Sequence, residues 1–565
     1  MPALIPVLIL VLGSGTLRAQ TPLVQILRGE LDRNFNALKQ KGDPAPYFVG
    51  YSVVDSESYS LVAGNGAVEG QAHNHSRLLD TTVRVGDRKF DNYRRVNGQV
   101  PRFTATTAIA LEDSAPAIRQ SVWLATDRVY RSAAQRLIQL KADEKLKAAS
   151  TDGSNDFSDP SADQPQKFSG PPPALQFNTA AWAERLRKLS AEFSHYPGAL
   201  NSEVSVQAQR LVETLVTSEG AELQHGRLFS RVIITAAGKA ADGMDLSTME
   251  SFETDDPSKL PSDAQILVAV ARAGKNLQDL LHAQPADPFV GPAILSGRAS
   301  GVFFHEIFGH RIEGHRQKDE TEGQTFTKSV GKPILPPFLS VIFDPTAKDY
   351  QGTVLNGSYL YDNEGVKARK VPVVEEGVLK TFLMSRAPID GFPSSNGHGR
   401  RQAGAEIVSR QSNLFVESSK QVPDDELRRL LIEEVKKQGK PYGLFFDQVT
   451  GGYTTTARRG LQAFTVIPLV VFRVYADGRP DELIRGVDIV GTPLSSFDKI
   501  MATSNKSEVF NGICGAESGN VPVAAISPAL LVSSIEIQRK ERSRDQPPYL
   551  ARPSSVDGSK AGAQQ

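Results

Sequence analysis

Residues 301–316 read GVFFHEIFGHRIEGHR and place His305, Glu306, His310 and His315 in one short apolar segment of a chain that holds nine histidines. Imidazole nitrogen is a common ligand for zinc, and a carboxylate beside a metal is placed to take a proton from an attacking water. In helical zinc hydrolases the two histidines stand four residues apart, so that both rings leave one face. Here the spacing is five. At roughly 100° per residue, five steps leave the rings about 140° apart on a regular α-helix. Either the pair is not a site or the helix is locally distorted, and a single wide turn of the π type at Gly309 is the expected distortion. Glu306, inside FFHEIF, also needs a partner, because an isolated charge in an apolar run is costly to bury. Ser296, Gly297, Ser300 and Gly301 form a turn-rich lead-in, so the helix is expected to run from about Val302 to His310.

The elements that hold this segment can be read from periodicity. Leu23 to Lys39 repeats its leucines and Phe35 at helical spacing, Val122 to Lys147 is a second helical stretch with many charges, and Trp182 to Phe193 is a third. Residues 46–62 and 79–90 are strand-like, and Glu203 to Gly238 alternates as a meander of strands. The run from Ser150 to Pro173 is polar and proline-rich, and is expected to be a flexible insertion that supplies no core. Past the proline-rich stretch His282 to Pro292, strands are expected in FLSVIFDP, GVLKTFLMS, QAFTVIPLVVFRVYADG and ELIRGVDIVG. A helix is expected from Asp424 to Gln438, with Asp424 and Gly439 as caps. The expected fold is α+β: an N-terminal α/β region over 20–284, then a β-rich C-terminal domain over 285–540 that carries the histidine helix, and a disordered tail over 541–565.

Composition narrows the function. With 565 residues, 64 basic and 64 acidic side chains, the chain has no net charge to favour a polyanion, and no nucleic-acid-binding signature occurs. Met1 to Ala19 has a ten-residue apolar core followed by small residues, which points to a secretory signal peptide and export to the periplasm or medium. The one cysteine, Cys514, cannot form an internal disulfide, which leaves it a buried small hydrophobe, a free thiol or a metal ligand.

Five blocks in order carry a family resemblance: GVFFHEIFGHRIEG, DNEG at 362–365, NGHGRR at 396–401, RQSNLFVE at 410–417 and GICGAESGNVPV at 512–523. Together they resemble the TldD/PmbA family of metalloproteases, and the histidine motif is similar to that of its catalytic, TldD-like branch. The resemblance implies one zinc ion held by His305, His310 and Cys514, with Glu306 as general base. It also implies a dimer, with itself or with a non-catalytic homologue, and a cleft that admits peptides or unfolded segments. Glu313 is a candidate to orient a ligand histidine, and His315 an alternative third ligand in place of Cys514. His398, Arg400 and Arg401 are candidates to stabilise the oxyanion or bind substrate. Two other classes remain: an assembly subunit with a structural metal, and a metal-dependent hydrolase of non-peptide amides.

Overall fold

The computed structural model describes residues 21–96, 103, 106–142, 153–159, 164–459, 463–491, 496–540, 545–548 and 550. The apolar leader Met1 to Ala19 and nearly all of the C-terminal tail lie outside the described residues. Among the described residues, no helix is long and apolar enough to cross a membrane.

The first half is built on a twisted sheet of seven strands. Its long members are β1 (Pro46–Gly64), β2 (Ala67–Val85), β3 (Asn201–Thr217), β4 (Glu222–Lys239) and β5 (Asp245–Thr254), all antiparallel to their neighbours in the order β2-β1-β3-β4-β5. Helices α1 (Pro22–Lys41) and α2 (Ala115–Ala142) bury Leu27, Leu31, Val122 and Leu137 against one end of this sheet. Helices α3 (Thr179–Ala191) and α4 (Asp263–His282) cover the other end with Leu186, Leu189, Val270 and Leu277. α4 begins with a full capping box at Ser262 and Gln265, which satisfies two backbone donors at once.

Two expectations fail in this half. β2 begins at Ala67, whereas the sequence suggests a strand only from 79. Residues 69–76 are polar and solvent-facing on both sides, so no alternation marks them; pairing along the whole of β1 and the stack of Tyr59 on His73, 4.2 Å between centroids, hold them extended. The polar run from 150 to 173, expected to supply no core, buries Phe157. Its ring meets Phe48 edge-on and lies 3.9 Å from the guanidinium carbons of both Arg84 and Arg386. Lys167–Ser169 also pairs with Glu222–Gln224 of β4. One aromatic held by arginines from distant segments leaves no periodic signal.

The second half is a sheet of thirteen strands. At its centre lie β6 (Phe289–Leu295), β7 (Tyr442–Thr454), β8 (Phe464–Tyr475) and the long hairpin β9 (Ile500–Ala516) and β10 (Gly519–Arg539). β6 sits between β10 and β7, and is much shorter than either. Where it ends, the chain turns into helix α5 (Gly297–Ile307), which packs across β10, β7 and β9. Phe303, Phe304, Ile307 and Phe308 fill the core beneath, each stabilising by about 1.5–3 kcal/mol through burial. Helix α6 (Asp424–Lys437) covers the far side; its N-cap is Pro423, so Asp424 lies inside the first turn, and Gly439 follows with the positive φ expected of it.

The expected strand GVLKTFLMS forms a strand only at Val378–Leu379, with a single bridge farther on from Leu383 to Glu313. Its apolar residues instead brace the histidine loop: Leu383 donates to the Ile312 carbonyl and accepts from the Gly314 N–H. The β9–β10 hairpin, which carries the last of the motif blocks, has no counterpart among the expected strands. Glycines and serines in both strands obscure it.

Candidate metal centre

Helix α5 starts five residues before the expected Val302. Ser296 caps it, its hydroxyl accepting from the Ala299 N–H, and Gly297 and Gly301 lie inside it. These glycines serve close packing: a Cβ on Gly297 would sit 2.5 Å from the Ser527 carbonyl oxygen, and one on Gly301 would sit 3.0 Å from Ala525 Cβ. They let the helix lie directly on β10.

The five-residue spacing is met by tightening the chain, opposite to the wide turn expected from sequence. The α-helix ends at Ile307, Phe308 turns out of line at φ −115° and ψ −56°, and Gly309–Ile312 forms a 3₁₀ turn. Arg311 fixes this end, donating to the Glu306 carbonyl, the Thr454 hydroxyl and the Thr455 carbonyl, so a cation closes the negative end of the helix. Gly309 is required because a Cβ there would lie 1.9 Å from Gln411 Oε1, and Gln411 is fully buried. Gly309→Ala is therefore expected to cost about 1–3 kcal/mol by overpacking. A lower unfolding temperature with reduced metal content would show it; no change in either would mean that Gln411 swings clear.

The break turns the two rings toward each other, with centroids 5.0 Å apart and planes at 84°. Cys514, on β9, completes the group: its sulfur is 3.4 Å from His310 Nε2, and ligand atoms of His305, His310 and Cys514 all lie within 4.8 Å of one another. This suits a metal. Zinc–nitrogen and zinc–sulfur bonds of ordinary length in a tetrahedron separate those two atoms by about 3.6 Å. Two imidazoles and a thiolate are also a donor set that zinc favours.

The charges around the group agree. Burial alone would raise the Cys514 thiol, but His310 and His305 draw it well below its ordinary value. His310 is likewise buried against its charge, yet Cys514 and Glu313 hold its pKa well above the usual one. Glu313 is the hub behind it. Its carboxylate meets His310 Nδ1 at 3.4 Å, accepts from Arg316 Nε at 2.8 Å and faces Arg410 Nε at 3.4 Å. Burial favours its neutral form, but His310 and Arg316 bring it down to about 2. A carboxylate on the far nitrogen of a ligand histidine fixes its tautomer and orientation. Glu306 lies on the opposite side, Oε2 4.0 Å from His310 Nε2, and burial pushes its carboxyl upward against the pull of His305 and His310.

Other candidates lie elsewhere. His315 pairs with Glu517 rather than joining the cluster, and burial lowers its pKa despite that carboxylate. His398 is fully buried between Asn396 and the Ser412 hydroxyl, and burial, helped by the nearby charges of Arg400 and Arg369, brings it down to about 3 although the Asn396 contact works the other way. Arg400 donates to the carbonyls of Gln411 and Pro522, and Arg401 faces Asp80 at 3.4 Å. None of these three lines the cavity over the cluster, so the expectation that they face an oxyanion is corrected: each braces backbone or an ion pair. Two contacts escape sequence reasoning. Arg410 donates to both the sulfur and the carbonyl of Cys514, at 3.2 and 2.7 Å, and to Ser518 and Gly519 at the hairpin turn. Gln411 donates to the His305 carbonyl. Both stand in the block RQSNLFVE, which in the sequence carries the family resemblance but no chemical signal of its own.

The cluster opens into a cavity of about 520 Å³ walled by β7 from Thr450 to Thr454, by Phe510 to Glu517, and by Arg231 and Met249 of the first sheet. Gly452 keeps it open: a Cβ there would lie 2.9 Å from Glu306 Cγ.

Residues 290–539 match the PmbA/TldA metallopeptidase C-terminal domain. These residues thus form a domain of the TldD/PmbA family. It is similar to a metalloprotease of Methanocaldococcus jannaschii, 29% identical over 247 residues, which is 43% of this chain and 50% of that protein. A zinc metalloprotease TldD homolog of Saccharolobus solfataricus is 25% identical over 249 residues, 44% of this chain and 51% of the relative. The chain thus spans about half the length of the curated relatives it matches. In fold it resembles TldE from Thermococcus kodakarensis, with a TM-score of 0.60 at 14% identity, over 92% of this chain and 100% of the other.

Proposed function

We propose that the chain is a zinc-dependent peptidase acting on peptides or unfolded protein segments. The observation that carries this is the convergence of His305, His310 and Cys514 beside Glu306 on one open cavity. Three protein ligands facing a cavity are the pattern of a catalytic zinc, whereas structural sites close all four positions with protein. When bound, zinc lowers the pKa of a coordinated water toward neutrality and polarises a carbonyl. Glu306 would accept the proton of the attacking water and deliver it to the departing amine. Glu313 holds the His310 ring, and Arg410 holds the Cys514 sulfur. Main-chain recognition would come from β7: among the described residues, no strand pairs with its free edge from Val449 to Thr454, so an extended peptide can add there. The reading includes a dimer, with a second copy or a homologue, and export through the N-terminal leader.

The test is cleavage of an unfolded peptide by the purified protein, alone and with any co-purifying homologue. Chelation is expected to abolish turnover and added zinc to restore it. Undiminished cleavage by metal-stripped protein would overturn the reading.

A further inference from the structure

The cavity draws one wall from outside the matched domain, through Arg231 on β4 and Met249 on β5. Arg231 sits on the half-open face of the first sheet; its chain neighbours Ser230 and Val232 point the other way and are fully buried. Across the strand pair stands Glu253, whose carboxylate is 3.9 Å from Arg231 Nη2, beyond hydrogen-bond reach. Arg231 Nε and Glu253 Oε1 are each buried without a hydrogen-bond partner among the described residues. The other guanidinium on the cavity, that of Arg316, is saturated by Glu313, Glu322 and Glu517. Arg231 is thus the cavity arginine with donors to spare, and a guanidinium's planar fork matches a carboxylate. Met249, farther along the same strand pair opposite Thr235, and the side chains of Tyr453 and Ile513 add apolar surface to the same cavity.

We propose that Arg231 anchors a carboxylate of the substrate, either the free C-terminus of a peptide or an aspartate or glutamate side chain, on the N-terminal wall of the cavity. This rests on the peptidase reading above. The anchor would set which bond of an extended peptide reaches Glu306, so a domain that contributes nothing to the metal cluster would decide where the chain is cut.

The experiment is equilibrium binding, by fluorescence anisotropy, of labelled peptides to the zinc-loaded Glu306→Gln protein. One pair differs only in a free or amidated C-terminus, and a second only in an internal glutamate or glutamine. The carboxylate member of one pair is expected to bind roughly tenfold or more tightly, the scale of hydrogen bonds to a charged group. Which pair shows the preference identifies the carboxylate. Arg231→Gln is expected to erase that preference while leaving the neutral peptide's Kd within about twofold, and Arg231→Lys to restore part of it. In the parent enzyme the same substitution should raise KM for the carboxylate substrate with little change in kcat. Equal binding of both members in both pairs, or a fall in kcat with Kd unchanged, overturns the anchor while the peptidase reading stands. Failure of the parent protein to bind or cleave any peptide removes that reading, and the anchor with it.

Discussion

Glu306→Gln is expected to lower kcat by roughly 10²–10⁴, the usual worth of a positioned general base, while zinc content stays that of the parent. Glutamine keeps the size of the side chain, which matters where Gly452 leaves space for nothing larger. It cannot accept the proton. Folding should not suffer: the parent carboxyl is buried and its pKa already pushed upward, so a neutral amide avoids a desolvation cost. The unfolding temperature should match or exceed the parent's. Turnover close to the parent's would remove Glu306 from the chemistry, and loss of zinc would make it a ligand.

Cys514→Ser is expected to weaken zinc retention by more than the roughly 10–100-fold that loss of a supporting contact costs, because it removes the thiolate donor itself. The loss has a second part. His310 and Arg410 both lean on the sulfur, so the substitution leaves two buried donors poorly matched. Metal analysis after dialysis against a weak chelator reads the first, and thermal unfolding reads the second. Full occupancy in the variant would sink the three-ligand assignment. His315 offers no substitute, since Glu517 and the fold hold it apart from the cluster.

Much of the fold was legible. The apolar repeats of α1 and α3, the alternation of β3 and β4 and the β-branched, aromatic run of β8 each mark residues for the core, and their burial is what holds each element in place. The exceptions have separate physical causes. The outer half of β2 is polar on both sides, Phe157 is buried by arginines rather than by a periodic face, and the glycine-rich β9–β10 hairpin is stabilised by long-range pairing. His398, Arg400 and Arg401 stood in a motif block and drew a chemical reading. Their side chains are spent on Asn396, Ser412, two carbonyls and Asp80, which no one-dimensional spacing reveals.

At the centre itself the division is clear. The amino-acid sequence alone determined which atoms are available: two imidazoles five residues apart, a carboxylate beside the first, and one thiol far downstream. On a regular helix those imidazoles diverge. Only the tertiary structure decided that they meet, because Arg311 ends the helix on β7, Gln411 demands a glycine at 309, and Glu313 and Arg410 hold His310 and Cys514 from behind. Each of these contacts joins residues whose convergence costs chain entropy, and that cost is met by the buried core beneath α5 rather than by anything local to the motif.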